Sequence, residues 1–543
     1  MSDVKKNEQQ AKKNSLINSG LKLSLFTLIS RVLGLIREMT KAAFLGTSNL
    51  ADAFGIAFMI PNLFRRLFAE NSISVAFIPT FKKYLENQNH DSTKKSETQE
   101  FINATFTLVT FLTTIVVTLG IIFSPYIVQF FAKEDSTAIL PEMAFLTRIM
   151  FPYLMVISIA ALFQGILNGH KIFSPSGFTP ILFNIIVIAS TYLLSPYCKN
   201  PARAMAYGVL AGGIIQALFQ LPFVLQQQWK INFTSLRKTF SNPGTKKVLL
   251  LIGPTIIGMA AYQLNDVVST ALAGRAGEGI VSSLQYSLRL QELILGIFAV
   301  SIGTVILPDL SSLSAKEDWD GFNTMLTQSV KIIALITIPI TIFALLIGEN
   351  LIILIYKNKN FTDQSVMLTL EAFKYHISGL FFIAANRIVS PAFYAQGNTK
   401  LPTLAGILGF ILNIILALIL VKPLRGGGIA LALSLASFGN TIFLFIFLKK
   451  TKIQKIGSSV SHICGYSFKL LIFSVISAIP LYLCKNILFS PFAHLSRFLA
   501  QGIPLVLSAL LYFFVLFVLL IITKDSLLQI LTQKIMQKIA KKH

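Results

Sequence analysis

Residues 102–131 read INATFTLVTFLTTIVVTLGIIFSPYIVQFF, a stretch with no Asp, Glu, Lys or Arg. A helix needs about 20 apolar residues to cross the hydrocarbon core of a bilayer. In that medium a chain can satisfy its own backbone hydrogen bonds only as a helix or a closed barrel. Working outward from this run, similar stretches recur along the whole sequence. They predict membrane-spanning helices near 17–37, 49–70, 102–131, 142–167, 176–195, 204–226, 247–272, 280–307, 327–355, 366–392, 401–421, 428–448, 465–487 and 499–523. The first, second and eighth are the least apolar.

Composition points the same way. Of 543 residues, 54% are hydrophobic and 13% charged, against about 25% charged in soluble domains; mean hydropathy is +0.69. A soluble core stops growing beyond roughly 250–300 residues, so water-soluble folds are excluded. Disorder requires few apolar residues and many charges, and is excluded as well. The expected fold class is all-α, a polytopic membrane protein of about fourteen transmembrane helices.

The net charge of +24 is carried mostly by short stretches between spans. Lys82, Lys83, Lys94 and Lys95, then Lys230, Arg237, Lys238, Lys246 and Lys247, then Lys449, Lys450, Lys452 and Lys455 fall in alternate loops. An even number of spans puts those loops on the side of both termini, and the positive-inside rule makes that side cytoplasmic. The charge therefore reads as topology, and nucleic acid is not an expected partner. Residues 1–16 are polar and contain Lys5, Lys6, Lys12 and Lys13, with no cleavage site after the apolar run. The first span is expected to be retained. The tail 524–543 alternates apolar and basic residues, in the manner of an interfacial helix. Cys198, Cys464 and Cys484 form no CxxC, the histidines form no HExxH, and no GxxxxGK[ST] is present. Neither a zinc site nor nucleotide-driven transport is indicated.

The chain repeats itself. ISVAFIP ending at Pro79 matches IGTVILP ending at Pro308; LNGHK with Gly169 matches AQGNTK with Gly397; LFNII with Asn184 matches ILNII with Asn413. The offsets are 308 − 79 = 229, 397 − 169 = 228 and 413 − 184 = 229. Three matches at one spacing argue for duplication. Each unit holds six spans, so both run in the same direction, the parallel type of transporter repeat. The expected organisation is a cytoplasmic segment 1–16, an N-lobe 17–226, a linker 227–246, a C-lobe 247–448, a linker 449–464, two further helices over 465–523 and a basic tail 524–543. Two such lobes suit alternating access.

Charges inside spans cost about 2.5–3.5 kcal/mol each on insertion scales and by default mark function. SRVLGLIRE (30–38) carries Arg31 and Arg37, about 120° apart around a helix. The second span carries Asp52 near its start and then PNLFRRLFAE, with Pro61, Arg65, Arg66 and Glu70. Glu70 is the helical i+4 neighbour of Arg66. YSLRLQE (286–292) carries Arg289 and Glu292. Arginine outnumbers acid at these positions. Its planar, always-charged fork suits phosphate, so the substrate is expected to be anionic, a phosphate or pyrophosphate.

At these residues the chain resembles the MurJ/MviN family, lipid II flippases of the MOP exporter superfamily. SRVLGLIRE, ADAFGIAFMIPNLFRRLFAENSISVAFIP (51–79), FPYLMVISIAALFQGILN (151–168), GTVILPDLS (303–311) and PAFYAQGNTKLP (391–402) look like its landmarks in its order. The resemblance implies fourteen helices, with the last two forming a groove for a polyprenyl tail. It implies export of the lipid-linked peptidoglycan precursor across the bacterial cytoplasmic membrane for wall synthesis, without enzymatic chemistry. Carried over residue by residue, it implies substrate-binding roles for Arg31, Arg37, Asp52, Arg65, Glu70, Arg289, Glu292 and Arg387. Leu288 stands where some relatives carry an acid. A sodium site on Asp266 and Asn413 is implied as well. The energy source stays open among sodium, protons and membrane potential, with no other cofactor. Expected partners are lipid II, membrane lipids and other wall-synthesis proteins. The alternatives are a flippase for another lipid-linked glycan, a multidrug exporter, and a non-transporting scaffold.

Overall fold

A computed structural model describes residues 2–67, 76–90, 94–132, 138–451, 453, 456–529 and 532–533. Its described elements are helical. They run α1 (Ser2–Leu45), α2 (Asn49–Arg65), α3 (Ile78–His90), α4 (Lys95–Gln129), α5 (Leu140–Met150), α6 (Pro152–Gly169), α7 (Ser174–Leu194), α8 (Pro201–Gln226), α9 (Leu236–Ser241), α10 (Pro243–Ala276), α11 (Ile280–Ala315), α12 (Trp319–Tyr356), α13 (Asp363–Ser378), α14 (Leu380–Tyr394), α15 (Lys400–Leu448), α16 (Ile456–Phe489) and α17 (Arg497–Ile522). Proline opens α6 and α8, where its missing N–H costs nothing. The Asn200 side chain caps α8 by accepting from the Arg203 N–H.

Among the described residues, eight helices are long and apolar enough to cross a membrane, and nine if α13 and α14, bent by 42°, form one span. The first, second, seventh and eighth predicted spans each run over positions outside those this measure covers. They include the stretches that hold Arg31, Arg37, Asp52, Arg65, Asp266 and Arg289. When the sequence is shifted by its repeat spacing, α4 falls on α12, α5 and α6 on α13 and α14, and α7 and α8 on the two halves of α15. The break at Phe151, between α5 and α6, then coincides with the break at Gly379, between α13 and α14.

The chain divides into two compact units, Met1–Ser282 and Ser283–His543. In the first, α7 lies along α1 and α8, α6 packs on α8 and α4, and α2 packs on α5. One end of this unit is closed by buried aromatic rings. Phe77 stacks on Phe81 at 5.3 Å and on Phe101 at 5.5 Å, and Phe81 meets Trp229 edge-on at 6.2 Å. The Trp229 Nε1–H donates to His170 Nε2 at 2.8 Å. In the second unit α12 packs on α13, α14, α16 and α17, so the two appended helices are fastened to it. Asp525, buried just beyond α17, accepts from Lys469 Nζ at 2.8 Å and from the Tyr466 hydroxyl at 3.2 Å.

The bend between α13 and α14 frees main-chain carbonyls inside an apolar region, and side chains reach in to satisfy them. Ser434 Oγ donates to the Tyr375 carbonyl at 2.6 Å, Gln291 Nε2 to the His376 carbonyl, and Thr341 Oγ1 to the Ile377 carbonyl at 3.3 Å. The His376 ring is buried against the Ser287 hydroxyl, 2.7 Å away. The stretch 401–448, expected as two spans, is described as one long element interrupted at Arg425, whose φ is 43°. The turn is too tight to separate the helices. A Cβ on Gly428 would overlap the Leu420 carbonyl oxygen, and that backbone atom cannot move aside as a side chain would.

Gly428→Ala should therefore lower the melting temperature in detergent by several degrees, as read by fluorescence of the purified protein. An unchanged value would show that the turn is loose. A second expectation concerns acid. Burial holds His170 below its ordinary value of 6.5, and its Nε2 must stay unprotonated to accept from Trp229. The unfolded chain binds the proton first, so this stability is present above pH 6.5 and lost as pH falls through the lowered native value. The drop in melting temperature between pH 7.5 and 5.5 should shrink in His170→Gln.

Candidate functional site

The charges of the first unit have definite partners. On α1, Arg37 donates through one terminal nitrogen to Asn184 Oδ1 on α7 at 3.2 Å and through the other to Glu38 at 2.8 Å. Its guanidinium also lies 5.7 Å from the centre of the Phe183 ring. Asn184 in turn donates to the Ser30 carbonyl at 3.2 Å, which ties α7 to α1. Arg31, one and a half turns earlier, is half-buried and makes no hydrogen bond or ion pair among the described residues. Lys41 is 4% exposed, with its ammonium 5.9 Å from the Phe54 ring. The sequence reading missed it, although it stands four residues beyond Arg37 on the same helix.

Asp52 does not meet an arginine. It is 6% exposed and accepts two backbone N–H groups at the first turn of α11, from Gly279 and Ser282, each at 2.7 Å. A carboxylate at a helix N-terminus satisfies orphan donors and opposes the helix dipole. The reverse contact is also made. Glu278, in the turn before α11, accepts from the Asn49 N–H at the start of α2 at 3.1 Å. Asn49 and Glu278 are themselves one repeat spacing apart in sequence, so repeat-related N-termini exchange carboxylates. Nothing in the local sequence around Glu278 signals this.

Adjacent arginines at the end of α2 diverge, as a 100° step requires. Arg65 donates from Nε to Asn62 at 2.8 Å and lines a cavity enclosed by α2, α3, α6, α7 and α8. Arg66 donates to Asp266 on α10 at 3.1 Å and to Gln263 at 3.4 Å. Glu70, its expected neighbour in sequence, lies outside the described residues. A second cavity in this unit is lined by Met59, Leu63, Ile127 and Phe131 and is apolar.

In the second unit Arg289 bonds Glu292 at 3.3 Å through one terminal nitrogen, while its Nε is buried with no acceptor among the described residues. Arg387 is exposed on α14, and Asn413 is 2% exposed on α15. Asp266 falls in the first unit and Asn413 in the second, and the Asp266 carboxylate accepts from the Arg66 guanidinium.

Long apolar helices in a duplicated sequence, with arginines inside the predicted spans and two helices appended, define a polytopic membrane transporter of the exporter class. Solved structures agree. A protein described as lipid II flippase MurJ in an inward closed conformation superposes with a TM-score of 0.75 at 26% identity, covering 92% of this chain and 98% of that one. An inward-facing multidrug resistance MATE family transporter of the MOP superfamily shares the fold, with a TM-score of 0.64 at 15% identity over 81% of this chain and 98% of its own. The family model described as lipid II flippase MurJ matches residues 41–501. A Treponema pallidum protein described as a "Probable lipid II flippase MurJ" is 46% identical over 517 residues, 95% of this chain and 97% of its own. The Burkholderia cenocepacia lipid II flippase MurJ is 32% identical over 446 residues, 81% and 85% of the two chains. The chain belongs to the lipid II flippase MurJ family.

The pairing of Arg66 with Asp266 can be checked by charge exchange. Arg66→Asp and Asp266→Arg each place like charges together and should impair growth in a complementation assay. The double exchange should recover a good part of it. A double variant no better than either single would show that the contact serves no function.

Proposed function

We propose that this protein is a flippase that moves lipid II from the inner to the outer leaflet of the bacterial cytoplasmic membrane by alternating access. The observation that carries the substrate is the 46% identity to the Treponema pallidum protein over nearly the full length of both chains. The chemistry of the arginines supports it. Arg31 has no partner among the described residues, and Arg289 keeps a buried, unpaired Nε–H. Both have donors that no described residue accepts. A pyrophosphate supplies several acceptors, and charged, bidentate contacts with arginine are among the strong hydrogen bonds. Arg37, held by Asn184 and Glu38, adds positive charge at a set position on α1.

In this reading no covalent bond is made or broken, so the protein is a transporter rather than an enzyme. The polyprenyl tail stays in lipid along α16 and α17. Both termini face the cytoplasm, where the lysine-rich loops are expected. Energy comes from membrane potential or an ion gradient; each charge carried across the field is worth about 2.3 kcal/mol per 100 mV.

The test is complementation in cells depleted of their own lipid II flippase, scored by the lipid II that becomes accessible on the outer face. The wild-type chain should restore exposure. Arg31→Ala and Arg289→Ala, at matched expression, should restore tenfold less or none. A folded, inserted wild type that restores nothing would move the assignment to another lipid-linked glycan. Mutants as active as wild type would remove the phosphate argument.

A further inference from the structure

Asp525 is the only Asp or Glu from Ala372 to His543. From Lys449 to His543 the sequence sets twelve lysines and arginines against it. Its carboxylate is fully spent. Oδ2 accepts from Lys469 Nζ at 2.8 Å, and Oδ1 accepts from the Tyr466 hydroxyl at 3.2 Å and from the Leu527 and Leu528 N–H groups at 3.1 and 3.2 Å. It has nothing left for a second cation.

That second cation is Lys331 on α12. Its ammonium lies 5.7 Å from the centre of the Tyr466 ring, the same ring whose hydroxyl reaches Asp525. It is half-buried and makes no hydrogen bond or ion pair among the described residues. The nearest acid before it on its own helix is Asp320, eleven residues back, or about 16 Å along the axis. A lysine ammonium has three N–H donors. Lys469 gives one to Asp525, and its side chain is 31% exposed. Two ammonium groups therefore meet one tyrosine and one carboxylate, with donors to spare.

The depth of this cluster is written in the sequence. Lys331 stands directly before the apolar run IIALITIPITIFALLI (332–347), and Lys469 directly before LLIFSVISAIPLYLC (470–484). The run LYFFVLFVLLII (511–522) of α17 ends just before Lys524 and Asp525. α12 packs on both α16 and α17, so three helices pass from polar to apolar sequence where these side chains meet. That transition marks the edge of the hydrocarbon core, beside the headgroup region. An anion at that depth arrives as the phosphate of a lipid. A diphosphate, with more than one negative charge, matches two ammonium groups better than a phosphodiester does.

We propose that Lys331 and Lys469 form a docking site for the diphosphate of the transported lipid at the cytoplasmic leaflet, separate from the arginines assigned above to the headgroup. The inference rests on the flippase reading and its orientation and adds a step to it. The polyprenyl chain lies along α16 and α17, and its diphosphate end is held at their polar edge. Asp525 and Tyr466 are positioning residues, which fix Lys469.

The experiment uses the full chain with Arg31→Ala and Arg289→Ala together, in nanodiscs, so that the lipid II still bound reads this site. Residual binding should be measurable. Lys331→Gln in that background should weaken it about tenfold, the loss of one charged hydrogen bond, and Lys331→Arg should keep it. Lys331 is chosen because replacing Lys469 would strand Asp525. Lys331→Met is the second replacement should the glutamine variant fail to fold, and melting curves show which variants are intact. Excess phosphatidylglycerol, a phosphodiester, should not displace the bound lipid II. If the arginine variant binds no lipid II, or an intact Lys331→Gln or Lys331→Met binds it unchanged, the docking site is wrong and the flippase reading stands. If phosphatidylglycerol displaces lipid II, the site takes ordinary phospholipid and the assignment to substrate is overturned. If the wild-type chain binds no lipid II, the flippase reading fails and this one with it.

Discussion

A polar group inside a bilayer-spanning protein has no water to turn to, so each must be answered by another part of the chain or by what the chain carries. Most of the described contacts follow from that constraint. The bend between α13 and α14 persists because Ser434, Gln291 and Thr341 answer the carbonyls it releases. Asp52 remains buried because two backbone N–H groups answer it. Arg37 is tolerated on α1 because Asn184 and Glu38 share it. Among the described residues a few buried side-chain atoms stay unanswered, Arg289 Nε, Gln216 Oε1, Asn168 Oδ1 and Ser508 Oγ among them.

The duplication adds a second regularity. The breaks in α5–α6 and α13–α14 fall at repeat-related positions, and the asparagine that serves Arg37 has its repeat mate in Asn413. Yet the charges are not duplicated with the scaffold. The first unit holds Arg31, Arg37, Arg65 and Arg66, each in a different environment, whereas the second holds Arg289 paired with Glu292. A repeated framework thus carries unlike chemistry in its two copies.

The helices were legible because hydropathy has a length scale set by the bilayer, and residues 102–131 alone exceed it. The arginines inside the predicted spans stood out for the complementary reason, since a charge within such a run is costly. What local sequence could not supply was the partner. Arg66 invites pairing with Glu70, which lies outside the described residues, and nothing in its own stretch of sequence signals its described partners Asp266 and Gln263, far along the chain on α10. Asp52 is answered by backbone groups, which have no side-chain signature. Gln216 and Gln220 read as ordinary polar positions on an apolar helix, and only their packing separates Gln220, bonded to Ser176 on α7 and to the Ala160 carbonyl on α6, from Gln216. The turn at Pro423–Gly428 read as a loop between two spans; its tightness depends on one glycine lying against one carbonyl.

The exchange of carboxylates between the starts of α2 and α11 has a consequence for how the sequence can drift. The donors facing Asp52 and Glu278 are peptide N–H groups, and every residue except proline provides one. Positions 49, 279 and 282 are therefore free to vary in that respect, while the two acids are not. A lineage could rewrite one side of this junction without losing it, and would lose it by a single change on the other.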